Sequence, residues 1–259
     1  MPVLRTNSVD TYYEVHGEGT PLVLIHGIGA CQRLWRLQIE PFSKHMKVVA
    51  YDVRGHGKSS GSDERYSIKL FASDLKALLD QLDIKKAHLC GLSMGGLIAQ
   101  QFALDHPQAV DRLILAGTFC HLGLTGNLMI GFYKTLNRLV LYFIGMDRYA
   151  EMGAKGLFRK KEQEELRRFY LEEVASISKK EFLKAIDATY AFDSLCMLRH
   201  IESPTLILNA EGEKRERQQT ELMCREIKDC KKEVITDAFH ASNLEKPEEF
   251  NRLVLDFLS

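Results

Sequence analysis

The feature that most constrains the fold of this chain is the pentapeptide 91–95, with the sequence GLSMG, which separates two apolar segments. Segment 87–90 before it is typical of a short buried strand, and segment 96–104 after it is small and apolar enough to begin a buried helix. A sharp turn from strand to helix strains its central residue, and flanking glycines relieve the crowding. A glycine-rich turn that merely contains a serine is the alternative. The surrounding strand and helix favour Ser93 as a nucleophile. The N-terminus of that helix would then lie beneath the reacting group, where its dipole stabilises negative charge.

A serine hydroxyl is a weak nucleophile at neutral pH, so it requires a base, and the base requires an orienting acid. In chains with this strand–serine–helix arrangement, the acid follows the serine and the histidine comes last. Four histidines follow Ser93, at positions 106, 121, 200 and 240. His240 lies between a predicted strand at 233–235 and a predicted final helix at 247–258, and such a loop is where an α/β sheet binds its ligands. We therefore predict that His240 is the base.

The acid should follow the predicted buried strand 204–209 by a few residues, within reach of the His240 ring. Glu211 and Glu213 both meet this requirement. We favour Glu213 and keep Glu211 as the alternative. A position after the preceding strand is excluded, because residues 113–122 contain no carboxylate.

An acyl-transfer site also needs two fixed backbone donors for the oxyanion. The residue after the nucleophile, Met94, supplies one N–H group in this arrangement. The other should come from the loop 26–29, which follows the apolar strand 21–25. We predict the Ile28 N–H, because the glycines of this loop allow the backbone to approach a substrate closely.

Together these motifs resemble the α/β-hydrolase superfamily, and most closely its small, cofactor-free, lidded esterases, lactonases and C–C-bond hydrolases. The resemblance runs nearly end to end. Segment 52–59 resembles the family's D-x-R-G-x-G-x-S turn, residues 26–27 its oxyanion loop, segment 91–95 its nucleophile elbow and residues 239–240 its base loop.

The resemblance implies a Ser93–His240–acid triad with the acid near Glu213, and an oxyanion hole formed by Ile28 and Met94. One departure concerns the acid, because the family usually carries an aspartate after a Gly-x-x spacing and this chain has glutamates there. A glutamate is longer by one methylene group and can still reach the histidine.

Strands and helices alternate along most of the chain, and the apolar strands lack a polar face. This pattern predicts an α/β fold with a mostly parallel central sheet covered by helices on both faces. The alternation of strands and helices stops between about residues 118 and 193. We expect residues 118–193 to form a helical cap, inserted between two strands of a core of residues 1–117 and 194–259. Three large apolar residues of this cap are candidate substrate contacts: Leu128, Phe132 and Phe143.

Composition excludes several classes of function. Lys plus Arg and Asp plus Glu both number 35, so no net charge favours nucleic acid or anionic membranes. The apolar segment 136–146 is too short to span a bilayer, and the N-terminus lacks a signal-like segment, so we expect a cytoplasmic protein. The six cysteines include no C-x-x-C pair, which argues against zinc. Asp52 and Gln32 occupy positions where a P-loop and a dinucleotide-binding loop need glycine, so we expect no cofactor.

The sequence therefore predicts a serine hydrolase that cleaves a small, mainly apolar carboxylic ester, thioester or lactone through an acyl-enzyme. Two alternatives remain open. The same triad can hydrolyse a C–C bond of a β-diketone-like substrate, and a slow or inactive triad can serve a ligand receptor in signalling. The expected partner is a small molecule, and the sequence does not distinguish a monomer from a homodimer.

Overall fold

The computed structural model describes residues 2–122, 127–175 and 177–259, except for the side chains of residues 127–130, 133–134 and 214–216. Eight strands form one sheet: β1 (Val3–Thr6), β2 (Val9–His16), β3 (Pro21–Ile25), β4 (Lys47–Tyr51), β5 (Ala87–Leu92), β6 (Val110–Ala116), β7 (Thr205–Ala210) and β8 (Cys230–Ile235). Their order is β1-β2-β4-β3-β5-β6-β7-β8. The first two strands pair antiparallel, as do β2 and β4, and all other pairs are parallel.

Helices connect the strands: α1 (Arg36–Ser43), α2 (Ile68–Gln81), α3 (Met94–Asp105), α4 (Asn127–Leu157), α5 (Glu164–Val174), α6 (Lys179–Tyr190), α7 (Lys214–Glu226), α8 (Ser242–Glu245) and α9 (Pro247–Leu258). Helix α2 begins where the Ser67 side chain accepts the Leu70 N–H, an ordinary N-cap. Helix α9 begins at Pro247, whose missing N–H costs nothing in a first turn.

The central strands bury both faces, which explains their continuous apolar sequences. Val23 and Ile25 of β3 belong to the hydrophobic cluster that includes α2 and α3. Leu22 and Leu24 point to the opposite face, where they pack in the cluster of α1 and α9. All four side chains are fully buried, and such burial stabilises the fold by about 1.5–3 kcal/mol per large side chain. The predicted fold class, a mostly parallel sheet covered on both faces, is confirmed.

Helices α4, α5 and α6 lie between β6 and β7 and are called the cap below. Helix α4 changes direction at Gly145, whose φ of +76° favours glycine. Leu141, Val174 and Phe182 are buried where the three helices meet. The cap contacts the core beside the loop that follows β3, because a Cβ atom on Gly29 would lie 3.1 Å from the Phe182 ring. The predicted helical insertion is confirmed, and its boundaries at 118 and 193 stay a prediction.

Three features of the fold were not expected from the sequence. The first strand, β1, forms the exposed edge of the sheet, and α4 continues beyond the apolar segment 136–146 to Leu157. A disulfide bond joins Cys224 in α7 to Cys230, the first residue of β8. In the described part of the chain, none of the helices is both long and apolar enough to cross a bilayer.

Candidate active site

Ser93 occupies the strained turn that the pentapeptide predicts. Its φ of +56° and ψ of −117° lie in a region that side-chain-bearing residues rarely adopt, and its N–H donates to the Ala116 carbonyl at 2.9 Å. A Cβ atom at Gly91 would lie 2.3 Å from the Gly95 carbonyl oxygen, and one at Gly95 would lie 2.0 Å from that of Ile25. Both flanking positions therefore require glycine, because neither has room for a side chain.

The Ser93 hydroxyl lies beside the loop that follows β3. A Cβ atom at Gly27 would be 3.8 Å from Ser93 Oγ, so the backbone of this loop can approach a substrate at the serine. Met94 is the first residue of α3, where an N–H has no acceptor within the helix. Ile28 follows Gly27 and lines the same cavity as Ser93. These positions are compatible with the predicted oxyanion hole, which stays a prediction.

His26 braces the loop that follows β3, a role that sequence reasoning missed. Its Nε2 accepts the Val53 N–H at 2.9 Å, so its proton is on Nδ1, which donates to the Gly27 carbonyl at 2.7 Å. Complete burial lowers the pKa of His26 to about 4 and keeps the ring neutral near pH 7. The only sequence cue was its place directly before Gly27.

His240 and Ser93 line one cavity, an arrangement compatible with a base and its nucleophile, whose roles stay a prediction. His240 lies in the loop between β8 and α8 and is partly buried. Gly117, which follows β6 with a φ of +52°, passes close to it, since a Cβ atom there would lie 3.5 Å from His240 Nδ1. The glycine leaves room for the ring between two loops at the carboxyl ends of the parallel strands.

The two candidate acids have different surroundings. The Glu211 side chain is exposed, and its Oε2 accepts the Asp237 N–H at 2.9 Å. Glu213 directly precedes α7, its side chain is 21% exposed, and its Oε1 accepts a hydrogen bond from Arg159 at 3.3 Å. The more buried carboxylate is the better candidate for orienting a histidine, and Glu213 stays our prediction.

The cavity has a volume of about 700 Å³, and its wall is largely apolar. Besides His240, Glu173 has the one acidic or basic side chain among the described residues that line it. The Glu173 side chain is 2% exposed, accepts hydrogen bonds from the Cys31 N–H and Sγ, and pairs with Arg33 at 3.3 Å. In the described wall, no lysine or arginine is present to bind an anionic substrate.

Comparison with known proteins identifies the family. A family model for the alpha/beta hydrolase fold matches residues 20–247, which include Ser93, His240 and both candidate acids. The chain belongs to the α/β-hydrolase family. The match spans the core strands from β3 to β8 and the cap of this hydrolase-fold chain.

Several similar proteins are named as hydrolases. 3-oxoadipate enol-lactonase 2 of Acinetobacter baylyi is 29% identical over 257 residues, which cover 97% of this chain and 94% of the relative. The crystal structure of the enol-lactonase from Burkholderia xenovorans LB400 has a TM-score of 0.89 at 26% identity, with 99% of both chains covered. A carboxylesterase structure from Nitrososphaera gargenis has a TM-score of 0.88 at 28% identity, with 99% of this chain and 97% of the other covered.

Two of the three predicted substrate contacts in the cap of this α/β-hydrolase lie away from the cavity wall that the described residues form. Phe132 and Phe143 are 62% and 78% exposed, and neither lines the cavity. The Leu128 side chain lies outside the described residues. Helix α4 carries apolar residues on more than one face, so composition alone could not select the face that covers the serine. Its contribution to the cavity wall includes Leu136, Asn137, Val140, Tyr149 and Met152.

The turn 52–59, which resembles a family motif, has a structural role in this hydrolase. Asp52 accepts the N–H groups of Gln32 and Lys58, each at 2.7 Å, and so joins two loops beside the oxyanion loop. The buried Arg54 donates two hydrogen bonds of 2.7 Å to Asp74 on α2. Charge-assisted pairs of this kind fix geometry, and here they fix the carboxyl end of β4.

Other chemistries receive little support from the described residues. Among them, no group of three or more His, Cys, Asp or Glu side chains lies close enough to hold a metal ion. Burial raises the pKa of the Cys120 thiol to about 12, and it also raises the pKa of the Cys31 and Cys90 thiols. These thiols remain protonated near pH 7, so they are poor nucleophiles.

Proposed function

We propose that this α/β-hydrolase is a serine hydrolase that uses Ser93, His240 and Glu213 as its triad. The observation that carries the proposal is the strained Ser93, whose hydroxyl borders Gly27 in a cavity that His240 also lines. Such strain is maintained at functional sites because the surrounding structure enforces it. The relatives named for lactone and ester hydrolysis support the same reaction class.

In the proposed mechanism, His240 accepts the Ser93 proton while Oγ attacks the substrate carbonyl. The N–H groups of Ile28 and Met94 stabilise the tetrahedral oxyanion, and His240 then protonates the departing alcohol or thiol. Water, activated by His240, releases the acyl group in the second half of the reaction, and Glu213 orients the imidazole ring throughout. Each oxyanion donor contributes roughly 2.7–4 kcal/mol to transition-state stabilisation in enzymes of this type.

We infer that the substrate is a small neutral ester, thioester or lactone. An acyl group entering the largely apolar cavity gains free energy from burial, at about 25 cal/mol per Å². A carboxylate in the same place would lose its hydration next to Glu173, with no cation in the described wall to compensate. A matched pair of substrates tests this inference: p-nitrophenyl butyrate should be hydrolysed with at least about tenfold higher kcat/KM than mono-p-nitrophenyl succinate. Equal kcat/KM values would refute it.

The proposed reaction is tested by intact-mass labelling with a fluorophosphonate, together with turnover of p-nitrophenyl acetate and butyrate. Wild-type protein should gain one adduct and hydrolyse both esters. Ser93→Ala should lose the adduct and the turnover, whereas Ser73→Ala, which changes an exposed serine on α2, should retain both. Absence of labelling in the wild type, or labelling that persists in Ser93→Ala, would contradict the proposal.

A further inference from the structure

The base loop, residues 237–240, is attached to the cap by a lysine. Lys160 Nζ donates to the Asp237 carbonyl oxygen at 2.8 Å and contacts the Asp237 carboxylate at 2.5 Å. Lys160 and Lys246 lower the pKa of Asp237 to about 2, so the carboxylate is charged near pH 7. Asp237 has a φ of +52°, an uncommon conformation for a residue with a side chain. Its backbone therefore needs such contacts to hold the loop in one conformation.

A second connection reaches the residue next to the base. Glu245 Oε1 accepts the Phe239 N–H at 3.0 Å, and its Oε2 accepts a hydrogen bond of 2.7 Å from Gln163 of the cap. The other end of the Gln163 amide accepts the Lys160 N–H at 2.9 Å. The Gln163 side chain is buried, so water cannot easily replace these hydrogen bonds.

A third connection reaches the predicted acid. Arg159 donates to Glu213 Oε1 at 3.3 Å, and its guanidinium group lies 4.6 Å from the centroid of the Phe239 ring. One cap side chain therefore contacts both the acid and the residue that precedes the base. The acid and base loops are also joined directly, because the Gly212 N–H donates to the Ala238 carbonyl at 3.0 Å.

We propose that residues 159–163, in the linker between α4 and α5, position His240 and Glu213 relative to each other. Arg159 and Gln163 act as positioning residues, so docking of the cap and assembly of the triad are one event. The proposal rests on the proposed function for its catalytic consequence. It goes beyond that function because it assigns the cap a role in the reaction other than enclosing the substrate.

The catalytic consequence is tested with Gln163→Ala and Arg159→Gln, using p-nitrophenyl butyrate. Because misplacement of a catalytic group by about 1 Å can cost 10²-fold in rate, we expect kcat to fall about tenfold or more while KM changes little. Arg159→Lys should recover part of the loss, since it keeps the charge near Glu213. Arg148→Gln, a change at an exposed arginine of the same cap, is the matched control and should leave kcat unchanged. Unchanged kcat, or a rise in KM alone, in both linker variants would overturn the proposal.

Hydrogen exchange separates this proposal from the proposed function. The Phe239 amide should exchange faster in Gln163→Ala than in wild type, and at the wild-type rate in Arg148→Gln, whether or not the protein hydrolyses esters. Unchanged Phe239 exchange in Gln163→Ala would refute the positioning role. If the wild-type protein hydrolyses no ester but the Phe239 amide still exchanges faster in Gln163→Ala, only the serine hydrolase proposal is refuted. The coupling between the linker and the base loop is then retained.

Discussion

The choice of acid can be decided by exchanging each candidate carboxylate for its amide. Glu213→Gln removes the negative charge that is proposed to orient His240 and stabilise the imidazolium ion. In the serine protease triad, the same change at the acid lowers kcat about 10⁴-fold. Since each factor of ten corresponds to about 1.36 kcal/mol, this is a loss of about 5.4 kcal/mol of transition-state stabilisation. The Glu213 side chain is one-fifth exposed and contacts Arg159, so we expect a loss of about 10²–10⁴-fold here.

Glu211→Gln is the matched control. Glu211 is exposed, and the Asp237 N–H can donate to the amide oxygen of glutamine as it does to the carboxylate. We therefore expect kcat within about twofold of wild type, the range usual for surface substitutions. The assay is initial-rate hydrolysis of p-nitrophenyl butyrate, with urea denaturation to show that both variants are folded. The reverse ranking, or an equally small effect of both changes, would refute the assignment of Glu213.

Three further predictions concern the framework of the site. Arg54→Leu should lower the free energy of unfolding in urea by about 3–5 kcal/mol, because it leaves the buried Asp74 carboxylate without its partner. Gly95→Ala should unfold at clearly lower urea concentration and lose fluorophosphonate labelling, because its methyl group would lie 2.0 Å from a carbonyl oxygen. Finally, the low pKa of the buried His26 means that the unfolded chain binds a proton between about pH 6.5 and 4 and the folded chain does not. Unfolding free energy should therefore be highest above pH 6.5 and fall by up to about 1.4 kcal/mol per pH unit, from this group, as the pH decreases towards 4.

Each of these three predictions has a control. The double variant Arg54→Leu/Asp74→Leu should recover most of the lost stability, and additive losses would contradict the pairing argument. Gly131→Ala changes a glycine with open space around it and should be tolerated, so an equal effect of Gly95→Ala and Gly131→Ala would contradict the steric argument. For the third, His26→Gln should flatten the pH dependence of the urea midpoint, and an unchanged slope would show that His26 does not contribute.

The sequence predicted the bounds of strands and helices best where a continuous apolar segment or a helix-starting residue marks the element. Strand β3 at Pro21–Ile25 and helix α9 at Pro247–Leu258 match the predicted boundaries, because continuous apolar residues and a helix-starting proline mark them unambiguously. Strand β1 was missed since it lies at the sheet edge, and three of its four residues are not buried. Strand β1 pairs with β2 on one side only, so its residues are too exposed to carry the apolar pattern that marks a buried strand.

The candidate site was predictable to a similar extent. Ser93 stands out in the sequence because its neighbours must be glycine for steric reasons. The bracing of the oxyanion loop by His26 depends on Val53, 27 residues away, so no local pattern could indicate it. The exposed position of Phe143 was equally inaccessible, because the direction of α4 depends on the bend at Gly145 and on which face packs against α5 and α6.

The bend at Gly145 divides the longest helix of the cap into two parts, and both of them contribute to the cavity wall. The part after the bend continues into the linker that contacts Glu213 and the base loop. The part before it carries Phe132, Leu139 and Phe143 on the surface, and it contributes Leu136 and Val140 to the cavity wall. Sequence change before Gly145 can therefore alter one part of the cavity wall without touching the side chains that contact Glu213 and the base loop. A cap divided in this way would let the range of accepted substrates change while the proposed triad keeps its geometry.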